Sequence, residues 1–291
     1  MKKMFMAVIA MMMTISASAQ FYIYYSDGTV AKVDSISMIA PGEPEEPTPP
    51  AGIGTFSVSA DKQVTFSKGN LQYHPANNEW RFAESQLDYI GAANSNCSSS
   101  YNGWLDLFCW STSANNFGVS TSQDDADYSG SFVDWGTNQI SADAPNTWRT
   151  LSYDEWNYLL GARPNASSLR GVAQVNGVNG LIFLPDTWVC PEGITFKSGF
   201  HISYGVDYYA AYQTFTAEQW SKLESAGAVF LPALGRRDSS NVSNVQYYGG
   251  YWSATEYYNR GAYLLSFGSG GAGKGSGARC IGHSVRLVKD L

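Results

Sequence analysis

The chain of 291 residues carries 18 Lys and Arg against 25 Asp and Glu, for a net charge of −7. Basic residues scattered over an acidic chain leave no electrostatic footprint for a phosphate backbone, so nucleic acid is excluded as an expected partner. With 9 Trp, 19 Tyr and 14 Phe there is aromatic area for a large core, and for the low-entropy contact surface that exported binding proteins use.

Residues 1–19 read as a secretory signal. Lys2 and Lys3 form its positive region, Met4 to Met13 a short apolar run, and Ser16-Ala17-Ser18-Ala19 a small-residue cleavage site before Gln20. The run is shorter than the roughly 20 residues of a membrane span, and no cysteine follows to take a lipid anchor. The expected mature chain is exported, without an integral membrane segment, to the periplasm, the cell surface or the exterior. Loss of two lysines leaves 16 basic against 25 acidic side chains, a net of −9.

Residues 20–40 predict a small β-hairpin, with strand-rich 21–25 and 29–33 around the tight-turn dipeptide Asp27-Gly28. Residues 41–52 form a Pro/Glu-rich linker; five prolines and three acids between 41 and 50 make a stiff spacer. The main domain spans 53–291. Short strands are expected at 54–58, 63–66, 70–73 and 77–82, then a long stretch, 91–147, rich in Ser, Asn, Asp and Gly, that reads as ordered functional loops. Ser152-Tyr153-Asp154-Glu155 is a capping box that opens a helix over Trp156, Leu159 and Leu160, with Gly161 as its stop. Thr216-Ala217-Glu218-Gln219 is a second box, ahead of Trp220 and Leu223, ending near Gly227. Strands follow each, at 180–185 and 228–232. The C-terminal fifty residues read as a meander over 251–256, 262–267 and 282–289, with a tyrosine-rich connection at one end and a flexible Gly/Ser-rich one at the other. Two short helices among several short antiparallel strands predict an irregular α+β fold and exclude a doubly wound sheet.

Three segments carry a family likeness: Trp148-Arg149-Thr150-Leu151-Ser152-Tyr153-Asp154-Glu155-Trp156, Leu184-Pro185-Asp186-Thr187-Trp188, and Gly282-His283-Ser284-Val285-Arg286-Leu287-Val288. From about residue 54 onward the chain resembles C-type-lectin-like domains, in the branch shared by formylglycine-generating enzymes and the Fibrobacter succinogenes major paralogous domain. The resemblance implies a C-type-lectin-like fold, and the residues themselves agree: Trp156 on a helix face, Trp252 in a strand, and Val285 and Leu287 are expected to pack as core. The enzymes of that branch bind copper with paired C-terminal cysteines, whereas Cys280 stands alone in its region here. The Glu-Pro-Asn, Gln-Pro-Asp and Trp-Asn-Asp motifs of calcium-dependent lectins are missing as well. Neither the oxidase activity nor calcium-dependent sugar binding is carried over.

Other motifs lead to little chemistry. Gly268-Ser269-Gly270-Gly271-Ala272-Gly273 matches a phosphate-loop pattern, but such a loop needs a following helix, and strand-like sequence follows. His74, His201 and His283 are scattered, without metal-ligand spacing. Asp124-Asp125-Ala126-Asp127 reads as a solvated acidic loop. No cofactor and no metal are expected. Cys97, Cys109, Cys190 and Cys280 allow three disulfide connectivities, or free thiols.

The candidate ligand-binding residues are Tyr247, Tyr248, Glu256, Tyr257, Tyr258, Asn259, Arg260 and Tyr263, with Tyr251 among the same tyrosines. Tyrosine among Ser, Gly and Asn is the mixture paratopes use. The expected function is an exported, non-enzymatic recognition or adhesion module that binds a glycan or protein ligand through this surface. The alternatives are an enzyme of the formylglycine-generating type, active or degenerate, a structural subunit of an envelope or pilus assembly, and the variable protein of a diversity-generating retroelement.

Overall fold

A computed structural model describes residues 21–24, 30–33, 54–115, 117–200, 208–258, 260–268 and 271–291. The expected signal and linker, the Asp27-Gly28 turn, His201 and Asn259 lie outside the described residues. The chain divides into two units, Met1–Thr48 and Pro49–Leu291. In the first, β1 (Phe21–Tyr24) and β2 (Val30–Val33) pair antiparallel with Tyr24 opposite Val30, the hairpin that the turn dipeptide predicts. Among the described residues no helix is long and apolar enough to cross a membrane.

The second unit is mixed α+β, mostly short antiparallel strands with a few short helices. It opens with β3 (Phe56–Ser57) and β4 (Gln63–Phe66), then a hairpin of β5 (Leu71–His74) and β6 (Glu79–Phe82). The long stretch from 91 to 147 contributes short helical turns, and its Phe108, Trp110 and Trp135 are buried in a core cluster with Leu71, Trp80 and Trp252. Those aromatic residues fill the interior; they are not displayed on binding loops. After β7 (Arg149–Thr150) comes α1 (Tyr153–Asn157), whose capping box closes as expected: Glu155 N donates to Ser152 Oγ at 3.2 Å, and Ser152 N donates to Glu155 Oε2 at 2.8 Å. Gly161 is not its stop. The helix widens into a π turn over Tyr158–Ala162, and Arg163 N closes it on Tyr158 O at 2.9 Å. The buried Arg163 guanidinium then pairs with Asp186 at 2.9 Å.

β8 (Arg170–Val175) and β9 (Val178–Phe183) form a hairpin across Asn176 and Gly177, both at positive φ (47° and 82°) as a tight turn of this hand requires. A third short helix, α2 (Tyr208–Tyr212), adds to the two expected from sequence. It leads to β10 (Thr214–Phe215), which pairs parallel to β8, and to α3 (Ala217–Ser225), capped by Thr216 and Gln219 as expected. β11 (Val229–Pro232) completes the sheet in the order β10-β8-β9-β11, with Ile182, Trp220, Leu223 and Phe230 packed in one cluster beneath it.

The C-terminal region departs from its expected meander. After the short β12 (Arg236–Asp238) and β13 (Asn241–Ser243) come β14 (Gly249–Tyr257), β15 (Gly261–Gly268) and β16 (Gly271–Ala278), three antiparallel neighbours in that order. The Gly/Ser-rich stretch expected to be a flexible connection is thus itself a strand. Its alternation of glycine with Ala, Lys, Ser and Ala matches the two-residue period of a strand. Gly275 and Gly277 lie where an added Cβ would meet Ser266 Oγ at 2.8 Å and Leu264 Cδ2 at 3.2 Å. No helix follows it, so the phosphate-loop match has no structural counterpart. The segment expected as the last meander strand leaves this sheet. β17 (Ile281–Gly282) joins β12, and β18 (Leu287–Asp290) inserts between β4 and β7.

Trp156, Trp252, Val285 and Leu287 are buried, as expected of core residues. Between Val285 and Leu287 sits Arg286, also buried. Its Nη2 donates to Gln86 Oε1 at 2.7 Å, and its Nη1 points at Asn70 Oδ1 at 3.4 Å. Gln86 also accepts from Phe230 N at 2.8 Å and donates to Glu224 Oε1 at 2.9 Å and Ala228 O at 3.2 Å. A guanidinium with neutral acceptors in a dry site is held against desolvation, which pulls Arg286 down to about 10. Replacing Arg286 with Ala leaves a void and orphaned acceptors, and should destabilise the fold by about 3 kcal/mol in urea unfolding.

His283 is buried beside Trp252 and Tyr248, with ring centroids 4.8 and 5.9 Å away. Desolvation, aided by the charge of Arg236, pushes it down to about 3. A free imidazole titrates near ~6.5, so between these values the unfolded chain binds the extra proton. His283 thus supports the fold above pH ~6.5 and withdraws that support as pH falls towards 3. Buried Asp106, raised to about 6 by desolvation, has the opposite sign: its contribution is full below pH ~3.8 and lost as pH rises through 6. Ring-nitrogen NMR of the folded protein at pH ~5 should therefore show His283 neutral, where an ordinary histidine is almost wholly protonated.

Candidate functional site: a tyrosine-bearing hairpin tip

The tip is built on the β14–β15 hairpin, where Tyr257 pairs with Gly261. A register shift between Trp252 and Glu256 bends β14. In that bend Thr255 Oγ1 accepts from Tyr153 N at 3.0 Å, fixing the start of α1 against the strand. Tyr153 then lies against Tyr263, centroids 4.0 Å apart. Tyr263 meets Tyr257 at 4.8 Å, and Tyr257 meets Tyr258 edge-on at 4.6 Å. Four tyrosine rings form a continuous row, in which the Tyr263–Tyr257 and Tyr257–Tyr258 pairs lie in the roughly 4.5–7 Å range where aromatic pairs attract and Tyr153–Tyr263 is closer still. Alternation explains the membership: Tyr263 points to the same face of β15 as Leu265, and its partner across β16 is Ser276, with Lys274 opposite Leu265. The Lys274 ammonium sits 5.6 Å from the Tyr153 ring centroid. Its hydrogen bond to Tyr153 lowers that phenol's pKa and raises its own.

Tyr258 is the outermost member. Its side chain is 77% exposed, and its backbone is left-handed at φ 48°. A bulky residue in that region costs about 1–2 kcal/mol, and such strain collects at functional positions. Buried Arg279 holds the conformation. Its guanidinium lies over Trp110 at 4.6 Å, donates to the carbonyls of Tyr258 (3.3 Å), Gly261 (3.2 Å) and Tyr128 (3.1 Å), and pairs with Glu256 at 3.1 Å. A shallow cavity of about 280 Å³ opens beside the tip, lined by Tyr257, Tyr258, Arg260, Gly261, Ser276, Gly277 and Ala278.

The structure divides the expected residues. Tyr257, Tyr258, Arg260 and Tyr263 come together at the tip, while Asn259 lies outside the described residues. Glu256 is there as well, but its carboxylate serves Arg279. Arg260 makes an exposed ion pair with Asp125 at 3.0 Å, of a kind worth at most about 1 kcal/mol. Tyr247 and Tyr248 belong elsewhere: they precede the far end of β14, roughly 25 Å away at the ordinary strand rise. Tyr247 is exposed, but Tyr248 is half-buried against His283, and desolvation pushes its phenol up to about 12. Tyr251 is fully buried and its hydroxyl donates to Pro232 O at 2.9 Å. It is a core residue, because its strand position faces Leu265 and Phe267. Tyr153, Lys274 and Ser276 complete the tip and were not among the expected residues. The glycine alternation of 271–277 is the signal that places Lys274 and Ser276 on one face; no sequence signal marks Tyr153 beyond its place at a helix start.

A larger open cavity, about 590 Å³, lies against Val189, Cys190, Pro191 and Glu192 and the end of α3. It shares no residue with the tip and carries no aromatic ring, so size alone does not make it the better site. Asp124 caps Ala126 N at 3.0 Å, and Asp125 pairs with Arg260. Among the described residues no group of three or more His, Cys, Asp or Glu side chains is placed to hold a metal. No protein-family model, curated protein or solved structure matches this chain.

Arg279 keeps its fork of donors only as arginine, since lysine cannot reach several carbonyls at once. Changing Arg279 to Lys should raise amide hydrogen exchange at Tyr258 and Gly261 by roughly 10–100-fold, with strand β18 much less affected.

Proposed function

We propose that this chain is an exported, non-enzymatic recognition or adhesion module of C-type-lectin-like fold, which binds a glycan or protein ligand through the tyrosine-bearing hairpin tip. The observation that carries this reading is Tyr258: a large aromatic side chain, 77% exposed, kept in a strained backbone conformation by a buried arginine. Exposed aromatic rings on a rigid support are the usual anchors of protein contact surfaces, because they lose little entropy on binding. Around that anchor stand adaptable donors, the Arg260 guanidinium, the Ser276 hydroxyl and the Lys274 ammonium, beside a cavity of about 280 Å³. That combination suits complementarity with a ring or side chain at a shallow surface.

The likeness of 148–156, 184–188 and 282–288 to the formylglycine-generating and major-paralogous branch is consistent with such a scaffold. In this reading the packed strands support the tip, and function varies with the side chains displayed there.

Screening the purified chain on glycan and extracellular-protein arrays tests the proposal. A ligand should emerge whose affinity falls at least about tenfold in Tyr258→Gly and in Tyr263→Ala. Tyr258→Gly should also leave unfolding stability within about 1 kcal/mol of the parent, since relief of the left-handed strain offsets the lost ring contact. A ligand that binds both variants as tightly as the parent refutes the assignment of this surface.

A further inference from the structure

We infer that Cys109 and Cys280 become joined by a disulfide when the chain folds under oxidising conditions. All four cysteines are free thiols here, and their placements differ. Cys109 and Cys280 lie on neighbouring antiparallel segments. Phe108 and His283 exchange both backbone hydrogen bonds, at 2.8 and 2.9 Å, and Trp110 N donates to Arg279 O at 2.8 Å. Cys109 therefore faces 280–282 across the ladder. The step from the Phe108–His283 pair to the Trp110–Arg279 bond shifts the register by two residues, so Cys109 lies against a bulged 280–282, and it is the sulfur contact that brings Cys280 within disulfide reach. The Cys109 sulfur is 3.0 Å from the carbonyl oxygen of Cys280 itself, and the two side chains share a small buried cluster with Tyr128. Arg237 Nη2 points at the Cys109 sulfur at 3.6 Å, which accepts from it as a thiol or as half of a disulfide, and Tyr128 Oη, whose hydrogen goes to Ser122 O at 2.7 Å, lies 3.5 Å from the same sulfur.

The other two thiols are placed differently. Cys97 is buried outside this cluster, at the end of the helical turn Gly91–Asn96. Cys190 is exposed, in a loop where its thiol donates to Ile194 O at 3.4 Å.

The oxidant is a disulfide of low molecular weight or one carried by a thiol oxidoreductase. One cysteine thiolate attacks it and forms a mixed disulfide, releasing one thiol. The second cysteine thiolate then displaces the remaining half. Two protein thiols give up two electrons and two protons, and the incoming disulfide leaves as two thiols. Both sulfurs are buried in the folded chain, so the exchange precedes docking of 279–283 onto 108–110. The cross-link closes a loop of roughly 170 residues, long enough for a large effect on the unfolded ensemble. It also fixes the neighbour of Arg279, the side chain that holds the tyrosine tip.

Refolding the reduced, denatured chain in mixed oxidised and reduced glutathione, then alkylating under denaturing conditions without reductant, tests this. Peptide mass mapping should show Cys97 and Cys190 alkylated and the Cys109 and Cys280 peptides linked. Reduction of that product should lower Tm by roughly 5–15 °C. Cys109→Ala and Cys280→Ala, alone or together, should each forfeit that reduction-sensitive shift. Four alkylated cysteines, a Cys97–Cys109 link, or glutathione retained on either sulfur overturns the inference. The first readout uses the parent chain, so poor folding of a variant does not blur it, and the outcome is independent of whether the tyrosine tip binds a ligand.

Discussion

Of several buried arginines, Arg286 ties together the most distant segments of the larger unit. It enters the core between two apolar neighbours, and its hydrogen-bond acceptors are the side-chain amide oxygens of Gln86 and Asn70, with Glu224 near enough to favour its charge. A guanidinium in a dry interior is costly unless its donors are met; both terminal nitrogens of Arg286 reach those oxygens, while its Nε has no hydrogen-bond partner among the described residues. Gln86 accepts while bonded to β11 and to Glu224 of α3. Asn70 does so while donating to the Tyr251 hydroxyl of β14 at 3.2 Å. Segments far apart in sequence thereby converge on one side chain, and the frame that carries β14 and β15 inherits its placement from it.

The tip repeats the device at smaller scale. Arg279 is nearly as buried, but where Arg286 uses side-chain amides it spends most of its donors on backbone carbonyls. A second difference lies in what is held. Arg286 secures packed strands, whereas Arg279 secures a turn whose outermost ring faces water. An aromatic side chain held in a strained conformation has its ordering cost met in the fold itself. The row from Tyr153 to Tyr258 extends that rigidity across the face, because each ring limits the freedom of the next.

Much of the frame was legible in the sequence because its signals are local. Both capping boxes close with the predicted partners, and the Asp27-Gly28 hairpin, the strands from 56 to 82 and the burial of Trp156 and Trp252 follow from pattern alone. Local too was a signal passed over: Asn176-Gly177 between Val175 and Val178 marks the β8–β9 hairpin as plainly as Asp27-Gly28 marks the first. The tip was harder, because its membership depends on tertiary register. Tyr251 and Tyr257 share a strand and a residue type, yet the bend between Trp252 and Glu256 separates a core residue from a surface one. Tyr153 joins the row only because Thr255 pins the start of α1 to that bend. In glycine-rich 271–278 composition suggests flexibility, whereas its period of two is the property that specifies a strand.

That period has a consequence for how this surface can change. Where β16 meets the interior it offers bare main chain, shaped to Leu264, Trp252 and His283. The residues between those glycines, Lys274, Ser276 and Ala278, contribute nothing to that contact and point to the same side as Tyr263. Display and support are thus uncoupled along one strand. Mutation can rewrite what the face presents at these three exposed positions while the glycines keep the contact with the interior, so a changed surface does not first require new stability.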